Sequence, residues 1–317
     1  MAELLLSQGY NVVGLTRDPA TQFSENISHL KSRLKLIYSS YELSTLTEQI
    51  RTIRPQEIYN FAGQTYVSKS WEMLDETFRA SALIPSHLLD AIVRTDKSIK
   101  FFQASSCEIF SASPLLKENS CLTESTPLAP GTPYACSKSF AHSLLNAYRN
   151  QYGIFAVSGI LFHHESPRRH ENFASRKIVN TAVKIKLGLE KQLLLGNLAV
   201  SRCWGYAPDF VGAAAKMLQA QAPRDLILCS DESHSLEDLV KTVFELLDLD
   251  YKKYVVEDRS LFRATEPLVM RGSSALAKQT LGWTAKINFK QLLEKMVSYE
   301  LKLRQGITKD YSDEKPF

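Results

Sequence analysis

The sequence lacks the features that mark disulfide-rich, metal-clustered and membrane proteins. Its 317 residues include five cysteines, an odd number with no CxxC pair, which argues against a disulfide framework and against a zinc site. No apolar run approaches the length of about 20 residues that a membrane span needs, and the first residues lack the zones of a signal peptide. We therefore expect a cytoplasmic protein that holds no metal, and we interpret Cys107 and Cys136 as small packing residues.

Strong charge of one sign is also lacking. The 38 Lys and Arg residues against 34 Asp and Glu give a net charge of +4, too small and too dispersed to predict a nucleic-acid partner. A small anionic ligand fits this balance equally well. The chain is 44% hydrophobic and 23% charged, as is usual for a globular protein with a large core.

A glycine-rich turn near the start is missing too. Residues 1–9 predict a helix ending at Gly9, and residues 10–16 predict a strand. A dinucleotide-binding fold begins one strand earlier, with glycines that let the backbone approach a pyrophosphate at the helix N-terminus. The sequence therefore predicts such a fold without its first strand, either because the start is misplaced or because the segment is truly lacking.

What the sequence does contain is a regular alternation of strands and helices. Strands are predicted at 33–38, 57–62, 100–104 and 155–162, and helices at 43–53, at 71–93 and from Tyr134 onward. Apolar strands that alternate with helices predict an α/β fold, a Rossmann-like doubly wound parallel sheet covered on both faces. We expect a nucleotide-binding domain over residues 1–164 and a smaller, partly interleaved substrate-binding portion over residues 165–317.

A Tyr-x3-Lys pair supplies the main chemical signal. Tyr134 and Lys138 lie one turn apart on one helix face, where the lysine charge is expected to lower the pKa of the phenol. Such a pair can act as a general acid or base, although ordinary helices also produce this spacing. Ser106 and Glu108 follow a buried strand, at the sheet edge where ligands of α/β folds bind.

Several basic residues are candidates for phosphate contacts. Arg17 follows the second expected strand of the fold, where an arginine can accept the 2′-phosphate of NADP. Arg168 and Arg169 form a pair suited to a diphosphate, and Arg202 stands beside aromatic residues. The alternative for each is a solvated loop arginine. His163 and His164 do not suggest a shared metal, because adjacent side chains of an extended backbone point in opposite directions.

Six stretches resemble the GDP-mannose 4,6-dehydratases, within the extended short-chain dehydrogenase/reductase family. They are residues 58–64, 103–108, 133–138, 159–169, 176–178 and 196–209. The run from Gly159 to Arg169 is the most diagnostic, since it separates these enzymes from sugar epimerases that share the Tyr-x3-Lys pair.

The resemblance implies a function and a set of roles. NADP would take hydride from C4 of GDP-mannose, Glu108 would remove the C5 proton, water would leave from C6, and the hydride would return to C6 to give GDP-4-keto-6-deoxymannose. The chain would form a homo-oligomer, a dimer or a tetramer. The implied catalytic residues are Ser106, Glu108, Tyr134 and Lys138. The implied cofactor contacts are Arg17, Phe61, Ala62, Gly63, Gln64, Lys138, His164 and Arg169. The implied substrate contacts are His163, Lys177, Arg202, Arg263 and Glu266.

The chain also departs from the family pattern. Ser39-Ser40 stands where the family has Gly-Asp, and Ile84-Pro85 stands where it has Gly-Thr. His163 replaces an asparagine, and Cys203 replaces an aspartate. Two alternatives therefore stay open: a reductase or epimerase of the same GDP-sugar, for which Glu108 would have no use, and a degenerate paralogue that binds a GDP-sugar or an active partner subunit.

Overall fold

The computed structural model describes residues 1–17, 25–116, 120–262 and 266–307. The helices are α1 (Ala2–Ser7), α2 (Leu43–Ile53), α3 (Leu74–Phe78), α4 (Ile84–Thr95), α5 (Pro133–Tyr152), α6 (Ala174–Lys186), α7 (Ala207–Leu218), α8 (Leu236–Glu245), α9 (Ala275–Leu281) and α10 (Phe289–Arg304). The strands are β1 (Val13–Thr16), β2 (Lys35–Tyr38), β3 (Glu57–Asn60), β4 (Lys100–Ser106), β5 (Ala156–Leu161), β6 (His164–Glu165), β7 (Leu193–Leu195), β8 (Ser201–Arg202), β9 (Gly205–Tyr206), β10 (Leu226–Leu228), β11 (His234–Ser235), β12 (Val255–Glu257) and β13 (Val269–Met270). Within these ranges no helix is long and apolar enough to cross a bilayer.

A parallel sheet with helices on both faces confirms the predicted fold class. Its strands lie in the order β10-β5-β4-β3, and each neighbouring pair is parallel. Phe101 and Phe102 are adjacent on β4 and fully buried on opposite faces. Phe101 packs in a cluster with α2 and α4, and Phe102 packs in another with α7. Both faces are therefore covered, as the apolar strands predicted.

The sheet is divided into two pieces. β1 and β2 form a separate parallel pair. Leu15 of β1 and Ile58 of β3 pack against the same apolar cluster. In the described part of the chain, no strand joins β1 to β3. All residues of β1 are half-exposed, whereas β5 is buried throughout, and the lack of a central first strand stays a prediction.

The predicted helix over 71–93 is interrupted. α3 passes into a π-helical turn at Arg79–Leu83 before α4 begins. Pro85 in the first turn of α4 has no N–H to donate to the carbonyl of Ser81, which explains why regular α-helical bonding stops there. The chain is nevertheless helical from Leu74 to Thr95, so the predicted helix is present, and the prediction missed its π-helical turn.

The second half of the chain contributes a separate core and also returns to the sheet. α6, α8 and α10 pack around buried residues such as Val183, Phe244 and Met296. Arg176 and Glu300 form a buried ion pair between α6 and α10. α7 and β10, however, complete the main sheet layer. The chain after residue 165 thus serves both regions; a domain division at that residue stays a prediction.

Candidate active site

The site lies at the carboxyl end of β4, beside the start of α5. Ser106 is the last residue of β4, and its hydroxyl accepts a 3.2 Å hydrogen bond from the amide of Glu108. Thr132 caps α5 by accepting a bond from the amide of Ala135, and Pro133 occupies the first turn. Strand and helix therefore bring Ser106, Glu108 and Tyr134 to one edge of the sheet, as the sequence predicted.

The tyrosine and the lysine share one helix face, as the spacing predicted, with the Lys138 ammonium 5.8 Å from the centre of the Tyr134 ring. The ammonium also donates to the Ala104 carbonyl at 2.9 Å. Burial lowers the pKa of Lys138 to about 8. Burial also raises the pKa of Tyr134, against the lowering effect of its hydrogen bond with Ser106. The expected lowering of the tyrosine pKa is therefore wrong, because desolvation disfavours both charged forms.

A glycine and a serine complete the surroundings of Lys138. A β carbon at Gly63 would lie 3.4 Å from both Lys138 Nζ and Ser81 Oγ. Ser81 comes from the π-helical turn, and its buried hydroxyl has no hydrogen-bond partner in the described structure. The same holds for Oε1 of buried Gln64. Polar atoms that are buried without partners fit a polar ligand such as a nicotinamide ribose, so this end of the site suits the implied cofactor.

The residues before Gly63 connect it to the sheet. The Phe61 ring packs at a tilted angle against Phe102 of β4, with the ring centres 5.3 Å apart, and stays 37% exposed. The amide of Ala62 donates to the side chain of Asn60, which also bonds Gln103. The loop is therefore anchored to β3 and β4 with one aromatic face open.

The two histidines diverge, as the sequence predicted. Nδ1 of His163 lies 4.0 Å from Sγ of Cys107, and the His163 ring contacts the Trp204 ring. His164 bonds the Phe162 carbonyl through Nδ1 and stacks on Phe210. Burial lowers the pKa of His164 to about 4, so this ring is neutral near pH 7. His164 therefore offers a neutral imidazole at the carboxyl end of β5.

The paired arginines have separate partners. Arg168 forms a bidentate ion pair with Glu3 of α1, at 2.7 and 3.0 Å. Arg169 pairs with the buried Glu165 at 3.2 Å and lies 3.5 Å above the Phe173 ring. The charge of Arg169 acts to lower the pKa of Tyr134, although burial outweighs it. Arg168 therefore links this loop to α1, whereas Arg169 lies at the site.

The implied substrate contacts have polar partners within the protein. Arg202 is buried and pairs with Glu266 at 3.0 Å. Lys177 is half-buried and donates to the Leu194 carbonyl at 2.7 Å. Arg263 lies outside the described residues. Arg202 and Glu266 therefore come together although 64 residues separate them in sequence.

Arg17 follows β1 directly, as expected for a residue that reaches an adenosine ribose. Its side chain is 60% exposed and lies 4.0 Å from Glu76. Such a contact is weak and leaves the guanidinium accessible to an anion.

The sequence did not predict two residues of the site, Ser81 and Glu165, and it gave the wrong burial for one cysteine. Ser81 and Glu165 carried no signal, because a lone serine in a helix and one glutamate in a polar run are common. Cys107 is buried, as expected of a packing residue, but Cys136 is exposed, so the packing interpretation is wrong for Cys136. Cys136 lies on the outward face of α5, opposite the buried Ala135 and Ser137.

Similar solved structures share this fold. RMD from Pseudomonas aeruginosa complexed with NADPH matches with a TM-score of 0.76 and 22% identity, over 92% of this chain and 100% of that one. The dTDP-glucose 4,6-dehydratase of Bacillus anthracis in complex with NAD matches with a TM-score of 0.82 and 19% identity, over 96% and 93%. At these identities the likeness shows the architecture alone.

Sequence comparison gives the family. The family model for GDP-mannose 4,6 dehydratase matches residues 1–296. GDP-mannose 4,6 dehydratase 2 of Arabidopsis thaliana is 38% identical over 96% of this chain and 83% of its own length. The human GDP-mannose 4,6 dehydratase is 33% identical over 96% and 88%, and that of Vibrio cholerae 32% over 96% and 91%. The chain belongs to the GDP-mannose 4,6-dehydratase family.

Proposed function

We propose that this chain is a GDP-mannose 4,6-dehydratase, which converts GDP-mannose to GDP-4-keto-6-deoxymannose without net use of its cofactor. The observation that carries the proposal is the meeting of Ser106, Glu108 and Tyr134 at one edge of the sheet. Family membership supports the same reaction.

Each of these residues has one task in the proposed reaction. A nicotinamide cofactor held beside Lys138 and Gly63 would supply the acceptance and the donation of hydride that the reaction needs at C4 and at C6. The Tyr134 oxygen accepts the C4 hydroxyl proton, and the Ser106 hydroxyl, bonded to Tyr134, orients the same sugar oxygen. The C4 ketone acidifies the C5 proton, which Glu108 removes and passes to the C6 hydroxyl, so that water leaves and a C5–C6 double bond forms. Delivery of hydride to C6 is then matched by return of a proton to C5.

Lys138 and Gly63 would hold the nicotinamide ribose. The Lys138 ammonium is poised between the Ala104 carbonyl and the space beside Gly63, and a ribose hydroxyl there would give Ser81 a partner. Phe61, Ala62, Gln64, His164 and Arg169 would line the rest of this contact. Arg17 favours NADP over NAD, because a guanidinium can pair with the 2′-phosphate.

The GDP-sugar would lie on the side of His163 and Arg202. The Arg202–Glu266 pair offers a charged donor and a carboxylate acceptor side by side. Lys177, and Arg263 outside the described residues, would add positive charge for the diphosphate. With this substrate, the protein would work in the cytoplasm, on a pathway toward GDP-fucose.

Exposed large apolar side chains support the proposed dimer or tetramer. Trp71, Leu74, Phe78 and Phe140 are each between 45% and 63% exposed, and Phe78 lies 6.1 Å from Phe140. An apolar patch shared by α3 and α5 is the kind of surface that a second copy covers.

Product analysis separates this function from the alternatives. Protein, GDP-mannose and NADP are incubated, and proton NMR follows the sugar. A dehydratase gives a new methyl doublet at C6, whereas a reductase or epimerase leaves the C6 hydroxymethyl group in place. Absence of any product, with GDP-sugar binding retained in a titration, would favour the degenerate paralogue.

A further inference from the structure

Three side chains with different donor atoms meet beside the proposed catalytic serine. Cys107, Glu108 and His163 each direct one potential metal-ligand atom toward the same place, and these atoms all lie within 4.8 Å of one another. Cys107 and Glu108 are consecutive, but His163 comes from beyond β5. The sequence spacing could not reveal this group, because the sheet, not a short motif, brings it together.

The geometry is close to that of a tetrahedral zinc site. Ligands at about 2.0–2.3 Å from zinc lie roughly 3.3–3.8 Å apart in a tetrahedron. Cys107 Sγ and His163 Nδ1 are already 4.0 Å apart. A shift of a few tenths of an ångström for that pair, and of about 1 Å at most for the others, would close the site.

The donor set and its setting also suit zinc. A thiolate, an imidazole and a carboxylate form a mixed set that zinc accepts, and three protein ligands leave a fourth position for water. Cys107 is buried, whereas Glu108 and His163 are partly exposed, so one side is open to an ion. The bond from the Glu108 amide to Ser106 and the contact of His163 with Trp204 limit how far these ligands can move.

The charges around the three proposed ligands do not strongly oppose the binding of a cation. Arg202 is the cation that acts on Cys107, and its charge is offset by Glu266 at 3.0 Å. A thiolate and a carboxylate together balance the two charges of Zn²⁺. The thiol proton of Cys107 leaves to solvent when the metal binds.

We propose that Cys107, Glu108 and His163 form a reversible zinc site, and that bound zinc inhibits the enzyme by occupying Glu108. A carboxylate that ligates zinc cannot remove a proton from C5. The inhibitory consequence rests on the proposed function, but the metal site itself does not.

Cobalt binding tests the site without any activity measurement. Co²⁺ titrated into the metal-free protein should give a thiolate-to-cobalt charge-transfer band with the intense visible bands of a tetrahedral ion. Cys107→Ser should abolish the charge-transfer band and weaken Zn²⁺ binding, measured by calorimetry, at least tenfold. Cys229→Ser is the matched control, since Cys229 is buried in the same apolar cluster as Cys107 but is not one of the three proposed ligands, and it should keep the band.

Inhibition provides the second readout. Zn²⁺ should inhibit the wild-type enzyme and EDTA should restore it, while Cys107→Ser keeps its basal turnover and needs at least tenfold more Zn²⁺ for the same inhibition. A charge-transfer band that survives in Cys107→Ser, or equal zinc affinity of the two proteins, would overturn the proposal. If the protein forms no keto-deoxy product, the proposed function fails, and the cobalt spectrum still decides the site.

Discussion

Gly63 lies against the ammonium of Lys138, so that a β carbon at residue 63 would stand 3.4 Å from Lys138 Nζ. The lysine is buried, and its other contact is the Ala104 carbonyl at 2.9 Å. Any side chain at residue 63 would fill the space where we expect the cofactor ribose.

Replacement of Gly63 should therefore weaken cofactor binding more than folding. Gly63→Val is expected to lower NADP affinity at least tenfold, measured by calorimetry, because its methyl groups occupy the ribose space. Gly212→Val is the control, since a β carbon there meets no atom within 4 Å. Unchanged NADP affinity in Gly63→Val would remove this residue from the cofactor site.

Tyr134→Phe should lose turnover by a factor of about 10² to 10⁴, the usual contribution of general acid–base catalysis.

Glu108→Gln should bind GDP-mannose with wild-type affinity yet form no 6-deoxy product. The reason is that the amide keeps the shape of the side chain but cannot accept the C5 proton. Initial rates and substrate titrations measure both effects. Full dehydratase activity in Glu108→Gln would exclude the proposed role.

The lowered pKa of His164 predicts that the folded protein loses stability in acid. Its pKa is lowered from 6.5 to about 4 in the folded protein, so between these values the unfolded chain binds a proton that the folded chain does not. The free energy of unfolding should then fall as the pH falls from 6.5 to 4, by about 3 kcal/mol at most. Urea unfolding of wild type and His164→Gln across this range measures the difference. Parallel pH profiles of the two proteins would contradict the prediction.

The break in the sheet predicts low stability for residues 1–317. No strand pairs with both β1 and β3 within the described residues, and β1 stays half-exposed where a central strand is buried, so this part of the sheet loses ladder hydrogen bonds and apolar burial. Against a usual total of about 5–15 kcal/mol, this predicts a low thermal midpoint and weak stabilisation by NADP. Calorimetric melting with and without NADP measures both. A cooperative, high-temperature transition that NADP raises further would show that another element fills the break.

The five strands predicted before residue 163 are all present, because apolar strands and turn residues are local signals, whereas the short strands β6 to β13 were not predicted. Helix α2 was placed at its observed bounds, 43–53. The π-helical turn before Pro85 was missed, since it depends on how the freed carbonyls are satisfied in the packed protein. Ser106, Glu108 and Tyr134 were found through one motif and one strand end.

Long-range properties could not be predicted in the same way. The pKa of Tyr134 was given the wrong direction because spacing shows a nearby cation but not the burial that outweighs it. The Arg202–Glu266 pair and the approach of His163 to Cys107 depend on which strands become neighbours. Such contacts follow from topology, which residue types alone do not specify.

Deuterium tracing tests the central claim most directly. GDP-mannose carrying deuterium at C4 is incubated with the protein and unlabelled NADP in ordinary water, and the product is examined by NMR and mass spectrometry. The proposed reaction predicts GDP-4-keto-6-deoxymannose with the deuterium at C6, and one hydrogen from solvent at C5. Deuterium retained at C4, or lost to free NADPH without a 6-deoxy product, would contradict it.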